Sequence, residues 1–507
     1  MTTTFEQNVA LIEQYLQANA LQQAQELLQF LCDSPLRNEA LSDNQQALLW
    51  ILLAKFYCAN DNIEQMYVVL QNAEKYTPTP ELFYLKGKYF EKTGQYKQSF
   101  CCYKKAFDLQ NETQRKHNLD YQYSYIRLMQ KCAESLTGMV EVVSNYDRFI
   151  LSYPNIPEAY HQRSEQLKNL GLYDLALRDA EKSLSLKPDF ALAWCNKAFI
   201  LNILGHYKEG WQAYEWRWKV DIDTFKQPDW NLTRWQGENI GQAKLLIYAE
   251  QGLGDNIQFV RYAILAKQKG LNIVVVNHLP VEKLINTNLA RYGITTSNNG
   301  QTINGLSYYV PMMSLPYYFA TELDTIPCTT AYLQAEDDAT ARWQQKLPAT
   351  NILKIGIVWS GSAGHERNRF RSLALSQLMP LFKLNAQFHC LQKEINQQDL
   401  ELALKIDNLY LWHKHLDSFS DTAGLVSQLD LIISVDTAVA HLAGAMGKPT
   451  WILLTYHPDF RWLIDREDSP WYQSVRLFRQ RMDLQWDSVI EQVYQQLSAK
   501  IQESNYA

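Results

Sequence analysis

Apolar residues follow two regimes along the chain. Through the first third, Leu, Ala and Tyr recur at helical spacing among Gln and Lys, with few β-branched runs, which predicts amphipathic helices. From Lys244 onward, short runs rich in Val and Ile alternate with helical segments. Residues 245–249, 273–276, 355–359, 388–391, 409–411, 431–434 and 451–454 read as strands. Unbroken apolar strands separated by helices are the pattern of parallel sheets. The helix after the first strand carries Ile257, Val260, Ala263 and Ile264 on one face and ends at Gly270. Another, over 438–446, is built from small residues and ends at Gly447. Thirteen of the 14 tryptophans lie at or after Trp194, so composition changes along the chain as the periodicity does. The polar stretch 221–241, with Pro228 and Gly237, is the expected junction. The expected domains are a helical one over 1–220 and two α/β halves over 221–345 and 346–507, the latter with a terminal helix.

The helical part repeats. At an offset of 34 residues Tyr160 falls on Trp194, Leu167 on Leu201, Gly171 on Gly205 and Tyr173 on Tyr207. The pattern resembles a tetratricopeptide repeat, in which a glycine ends the first helix and small residues let the second approach it. Ala176 and Ala180 supply the small residues, and Pro188 closes the unit. An earlier unit runs from Pro80 with Gly87, Gly94, Tyr103 and Ala106, and a weaker one holds Ala54, Tyr57, Leu70 and Ala73. Helices over 121–131 and 139–151 fill one irregular unit, and residues before about 45 are expected to cap the array. Stacked repeats bury their aromatics against one another and present a long concave face, which suits peptide segments or other proteins.

Charge excludes some partners. Net charge is −6, so no global basic field draws nucleic acid or anionic membrane. The 8 cysteines include the adjacent pair Cys101 and Cys102 but no CxxC, which fits a reducing compartment. No signal peptide or integral membrane segment is expected: residues 10–20 carry Glu13, Gln14 and Gln17, and the apolar run from Leu431 carries Asp436 and His441. A cytoplasmic protein is the expectation.

Two strand ends carry candidate chemistry. After the first strand come Gln251, Gly252, Leu253, Gly254 and Asp255, a Gly-rich turn at the first crossover of a βαβ unit. It is not GxGxxG, and no GxxxxGK[ST] occurs, so neither dinucleotide nor P-loop binding is supported. After Ser434, a helix opening near Thr437 aims unpaired N–H groups and its positive end at the crevice beyond the sheet, which suits a diphosphate. Two Rossmann-like halves around a cleft suggest a sugar transferase of the GT-B type.

The ordered set of segments resembles glycosyltransferase family 9. It comprises Ala249-Glu-Gln-Gly-Leu-Gly-Asp255, Gly356-Ile-Val-Trp-Ser-Gly361, Asn368-Arg-Phe-Arg-Ser372 and Phe388-His-Cys-Leu-Gln-Lys393. It continues with Asp430-Leu-Ile-Ile-Ser-Val-Asp-Thr-Ala-Val-Ala-His-Leu-Ala-Gly444, Asp468-Ser-Pro-Trp-Tyr472 and Leu477-Phe-Arg-Gln480. The likeness is to the branch of this heptosyltransferase-like family fused to tetratricopeptide repeats, and it covers essentially the whole chain. It implies an N-terminal tetratricopeptide α-solenoid followed by a GT-B module of two Rossmann-like domains. It also implies a bacterial glycosyltransferase that uses a nucleotide-sugar co-substrate and no other cofactor, is metal-independent, and inverts the sugar centre. The repeats would dock a protein acceptor, such as a flagellin-like one. Lipopolysaccharide heptosyltransferases proper lack the repeats, so their heptose donor and lipid acceptor are not carried over.

Glycosyl transfer needs a base for the acceptor hydroxyl and cationic or N–H groups for the leaving diphosphate. By the resemblance Asp255 is the candidate base; its other reading is an N-cap for a helix starting near Asn256. His441, one turn after Thr437, is the second catalytic candidate, or else a buried, hydrogen-bonded histidine. Asp436 and Thr437 are donor-side candidates, or an ordinary N-cap. Arg371, Lys393 and Arg369 are phosphate candidates, or solvated surface. Gly252, Gly254, Ser360 and Gly361 would bring backbone to the donor, and Gln392 would touch the nucleotide. Asp421 and Thr422 read as a helix cap. Asp221-Ile-Asp223 spells DxD but sits in the junction, and His413 and His415 have no third ligand at metal spacing. Two other readings stand beside the transferase: a repeat scaffold with an inactive transferase-like domain, and a lipopolysaccharide-type transferase. No nucleic-acid partner is expected.

Overall fold

The computed structural model describes residues 4–33, 41–110, 124, 126, 136–220, 230–297, 305–327, 330–362 and 368–506. The chain divides into two compact units, Met1–Gln166 and Leu167–Ala507.

The first unit is helical. Helices Phe5–Gln17 and Leu21–Asp33 form one pair, Asp43–Ala59 and Ile63–Ala73 a second, and Pro80–Lys92 and Tyr96–Asp108 a third. Thr4 and Ser42 each build a capping box, and Thr79 caps a helix that opens on Pro80. In the third pair a Cβ on Gly87 would lie 2.6 Å from the Tyr103 ring, so glycine sets how closely the helices approach. The stretch expected as a cap is itself a helix pair, which packs Ile12, Ala24, Leu28 and Leu31 against Leu52 and Phe56. Helix Leu136–Ser152 follows, and Pro157–Asn169 runs across the division. Of the expected helix over 121–131, all but residues 124 and 126 lie outside the described residues.

The second unit opens with helices Tyr173–Leu186, Ala191–Ile203 and Tyr207–Tyr214. The repeat glycines Gly171 and Gly205 stand at φ +73° and +84°, the left-handed conformation that stops a helix without steric cost. Composition changes near residue 221, yet this compact unit begins at Leu167. The reason is Trp211, which is 1% exposed and meets Phe259 and Phe460 edge-on at 5.9 and 5.6 Å. Tyr207 accepts a hydrogen bond from the Trp471 indole at 3.0 Å.

Two parallel sheets follow. The first contains β1 (Thr233–Arg234), β2 (Lys244–Tyr248), β3 (Asn272–Val276), β4 (Thr295–Thr296) and β5 (Leu306–Pro311), in the order β1-β5-β2-β3-β4. The second contains β6 (Lys354–Val358), β7 (Gln387–Cys390), β8 (Leu409–Leu411), β9 (Leu431–Val435), β10 (Thr450–Leu454) and β11 (Val475–Arg479), in the order β11-β10-β9-β6-β7-β8. The inner strands β2, β3, β6, β9 and β10 are largely apolar, the pattern of parallel strands buried on both faces. Helix Asp487–Tyr506 buries Val489, Ile490, Val493, Leu497 and Ile501 against Ile355, Phe388 and Ile433. Each sheet grows from its first central strand, β2 or β6, outward to one side and then to the other. Each therefore has a switch point, between β2 and β5 and between β6 and β9, where ligands bind beyond the carboxyl ends of such strands. Among the described residues no helix is long and apolar enough to cross a membrane.

Two outcomes follow from this packing. Trp211→Ala empties a buried aromatic site between helix Tyr207–Tyr214 and the sheets, so denaturant unfolding of the second unit should show a loss of about 3–5 kcal/mol. A loss confined to the first unit's transition would contradict the assignment of this helix to the second. Acid should also weaken the second sheet through His389, which is fully buried and accepts from the Trp412 indole at 3.1 Å. Burial first, and the Lys354 charge second, push its pKa down to about 4 from 6.5. Between those values the unfolded chain binds a proton that the folded one refuses, so stability falls as pH drops below ~6.5, by about 2 kcal/mol at pH 5. His389→Phe should flatten that part of the pH profile, and an unchanged slope would contradict it.

Candidate active site

The cleft forms where the two sheets turn their switch points toward one another. It has a volume of about 630 Å³ and is lined from both halves. Gly252, Gly254 and Asp255 contribute from the end of β2; Ser360, Gly361 and Arg371 from the end of β6; Asp436, Thr437 and His441 from the end of β9. Gln392 and Lys393 after β7 also line it, so the residues singled out as catalytic or donor-binding, Arg369 excepted, line one cavity.

Helix Leu253–Phe259 starts three residues earlier than its sequence suggests, so Asp255 sits inside its first turn and not before it. Its Oδ2 accepts from the Gly252 N–H at 2.8 Å, closing the helix start like a capping box. Its Oδ1 meets Arg461 Nη2. Asp255 is thus both a cap and a cleft carboxylate, with its side chain 17% exposed. Gly254 faces the opposite half: a Cβ there would lie 2.9 Å from His441 Cδ2.

Thr437 occupies the N-cap position of helix Ala438–Ala445, yet its side chain caps nothing. Its hydroxyl pairs instead with Ser434 at 3.1 Å. The first-turn residues Ala438 and Val439 line the cleft, and no N-cap side chain bonds the first-turn N–H groups of their helix. Asp436 likewise does not cap; its carbonyl accepts from Arg371 Nη1 at 2.9 Å. Burial, with the neighbouring Asp459 carboxylate, raises the Asp436 carboxyl above its usual range. His441 bonds the Tyr472 hydroxyl through Nδ1 at 2.9 Å and stacks on Trp462 at 5.3 Å. Burial, then the Arg461 charge, push its pKa down to about 3, so it is neutral at physiological pH. Its Nε2 lies 3.7 Å from Asp436 Oδ1.

The Ser360–Gly361 turn is tightly built. A Cβ on Gly361 would lie 2.7 Å from Arg371 Nη2 and from Asn368 Oδ1. Ser372 Oγ accepts from the Gly361 N–H at 3.2 Å. Arg371 keeps one buried donor, Nε, that meets no acceptor among the described residues, which fits an anion arriving from the cleft. Gln392 lines the cleft and also holds the turn. Its Oε1 accepts from the Trp359 and Ser360 N–H groups at 2.7 and 2.8 Å, so it clamps the turn. Lys393 lines the cleft but pairs with Asp417 at 2.9 Å, both side chains more than half exposed. Arg369 shares the short helix Asn368–Arg371. Asp421 completes a capping box with Ser418 in a helix that opens at Phe419, and Thr422 lines the cleft one turn on. Asp221 and Asp223 lie outside the described residues. His413 and His415 sit in a short 3₁₀ turn, and among the described residues no cluster of three or more His, Cys, Asp or Glu is arranged to hold a metal ion.

Arg461 is the functional residue that sequence reasoning missed. It is 7% exposed, and its guanidinium joins Asp255 and Gln258 of one half to Asp459 of the other. The signal was a charged pair among aromatics, Asp459-Phe-Arg-Trp462, just beyond β10.

Residues 417–496 match the family model described as glycosyltransferase family 9 (heptosyltransferase). That span carries β9, helix Ala438–Ala445, the Arg461 turn and Tyr472, one wall of the cleft. Protein FlbA of Caulobacter vibrioides is 27% identical over 369 residues, 66% of this chain. The chain spans 60% of the length of that relative. An uncharacterised protein of Methanocaldococcus jannaschii is 35% identical over 57 residues, 11% of this chain and 66% of that one. Among solved structures, YrrB, a TPR protein with an unusual peptide-binding site, is similar at 18% identity and a TM-score of 0.30, over 36% of this chain and 90% of that one. The Pseudomonas aeruginosa pilF structure is similar at 11% identity and a TM-score of 0.34, over 42% of this chain and 89% of that one. The C-terminal part of the chain, residues 417–496, is thus similar to glycosyltransferase family 9, and it follows the helical repeats described above.

Proposed function

We propose that the cleft transfers a sugar from a nucleotide-sugar donor to a protein acceptor recognised by the repeat helices, a flagellin-like protein being the acceptor class the resemblance implies. The observation that carries this reading is the uncapped start of helix Ala438–Ala445 facing a cleft that also holds Arg371. N–H groups, the helix dipole and a guanidinium together stabilise a leaving diphosphate without requiring a metal. Asp255, on the other half, takes the acceptor hydroxyl proton. The acceptor oxygen then bonds to the sugar carbon as the carbon–phosphate-oxygen bond breaks, and the nucleoside diphosphate leaves. Base and leaving group on opposite walls suit a single displacement with inversion. For this step the Arg461 contact at Asp255 Oδ1 gives way to the acceptor hydroxyl. The binding of donor and acceptor takes place in the cytoplasm in this reading.

A second reading, a repeat scaffold whose transferase-like unit turns nothing over, draws on one observation. Both oxygens of Asp255 are engaged, by Gly252 N–H and by Arg461.

Thermal melting with a panel of nucleoside diphosphates and nucleotide sugars, in excess chelator, tests the donor site. A ligand at ~100 times its dissociation constant adds about 2.7 kcal/mol. Asp436→Ala and His441→Ala should lose most of that stabilisation; retention of all of it in both variants rejects the site. Turnover tests the base. Asp255→Asn keeps an oxygen for the Gly252 N–H, so the cap survives while basicity goes. Sugar transfer should fall ~10²–10⁴-fold with donor affinity little changed. Parent-like turnover would make Asp255 a cap alone and turn the search for a base to His441.

A further inference from the structure

The Gly-rich turn begins with an anomaly. Gln251 stands at φ +61°, a left-handed conformation that a residue with a Cβ rarely adopts, although Gly252 is the very next residue. Something must hold Gln251 there. Its side-chain amide donates to the Tyr214 hydroxyl at 2.6 Å. Tyr214 is the last residue of helix Tyr207–Tyr214, the final repeat helix. The preceding residue is tied to the same segment: the buried Glu250 carboxylate accepts from Arg217 Nη2 at 2.8 Å and from the Met313 N–H at 3.1 Å. On the other side of Gln251, the Gly252 N–H donates to Asp255.

These bonds form one unbroken path from the repeat helix to the cleft carboxylate. We infer that Tyr214 and Arg217 are positioning residues of the active site: they hold Gln251 in its left-handed conformation and so fix the Gly252 N–H and the Asp255 carboxylate it orients. The final repeat helix is then part of the transfer machinery and not only of acceptor docking. The inference rests on the reading of Asp255 as the base for its functional meaning, but the geometric claim stands apart from it.

Amide hydrogen exchange at residue resolution tests that claim on the full chain with no substrate. Tyr214→Phe removes only the hydroxyl that Gln251 grips. The Gly252 amide should exchange at least ~5-fold faster in this variant, with amides of the β9 and β10 strands unchanged. Gln251→Gly supplies a residue that needs no holding in the left-handed region. In that background Tyr214→Phe should change Gly252 exchange less than ~2-fold. A merely structural Tyr214 would raise exchange throughout the unit, or equally in both backgrounds, and either result overturns the inference. So does an unchanged Gly252 amide in Tyr214→Phe. Because no ligand enters the experiment, its failure is distinguishable from failure of the nucleotide panel, which tests the transferase reading alone.

Discussion

Three guanidinium groups removed from water hold the second unit together, and each stands where separate segments meet. Arg217 joins the segment after the final repeat helix to Glu250 at the end of β2 and to Ser314. Arg261 donates to the carbonyls of Trp471 and Pro327 and to the Tyr332 hydroxyl. Its charge lies against the rings of Tyr332 and Tyr472 at 4.6 and 4.7 Å. Arg461 spans the cleft floor between Asp255 and Asp459. A buried charge stripped of one partner costs about 3–5 kcal/mol, so none of these segments can shift alone. Arg261 and Arg461 tie the two sheets to one another, beside the edge-on packing of Phe259 on Trp471.

Those ties decide what the cleft can do. With Gly254 pressed against His441, the Gly-rich turn of one half and helix Ala438–Ala445 of the other are brought within a side chain of each other. His441 is kept neutral by burial, the Asp436 carboxyl is raised above its usual range, and the buried Arg371 Nε meets no acceptor among the described residues. One wall thus carries the Arg371 guanidinium and the start of helix Ala438–Ala445, while the opposite wall carries the Asp255 carboxylate. In the proposed reaction this division separates the leaving group from the acceptor hydroxyl.

Much of this was legible in the sequence wherever the signal is local. The 34-residue offset appears because the same positions pack in each repeat, and Gly171 and Gly205 do end helices in the left-handed conformation. Strands β2 and β3 and strands β6 to β10 stand out as mostly apolar runs, as expected where both faces of a sheet are covered. Strand β5, with Ser307, Tyr308 and Tyr309, and the two-residue strands β1 and β4 carry no such run. Non-local contacts left no trace. Arg461 meets Gln258 and Asp255 across 203 and 206 residues, and Arg261 meets Trp471 across 210. Gln392 lines the cleft as expected of a residue after a strand end, but its bonds to the Trp359 and Ser360 N–H groups of the neighbouring strand end had no local signal. The starting point of the second unit was hidden too: Tyr207 obeys the repeat pattern while bonding Trp471, and Trp211 packs on Phe259 and Phe460.

The central claim is that the start of helix Ala438–Ala445 receives the diphosphate of the donor. The most direct measurement is a crystal structure with a nucleoside diphosphate that stabilises the protein. The account predicts phosphate oxygens within ~3.2 Å of the Ala438 or Val439 N–H and of the Arg371 guanidinium. Phosphate bound elsewhere, with those N–H groups facing only solvent, would contradict it.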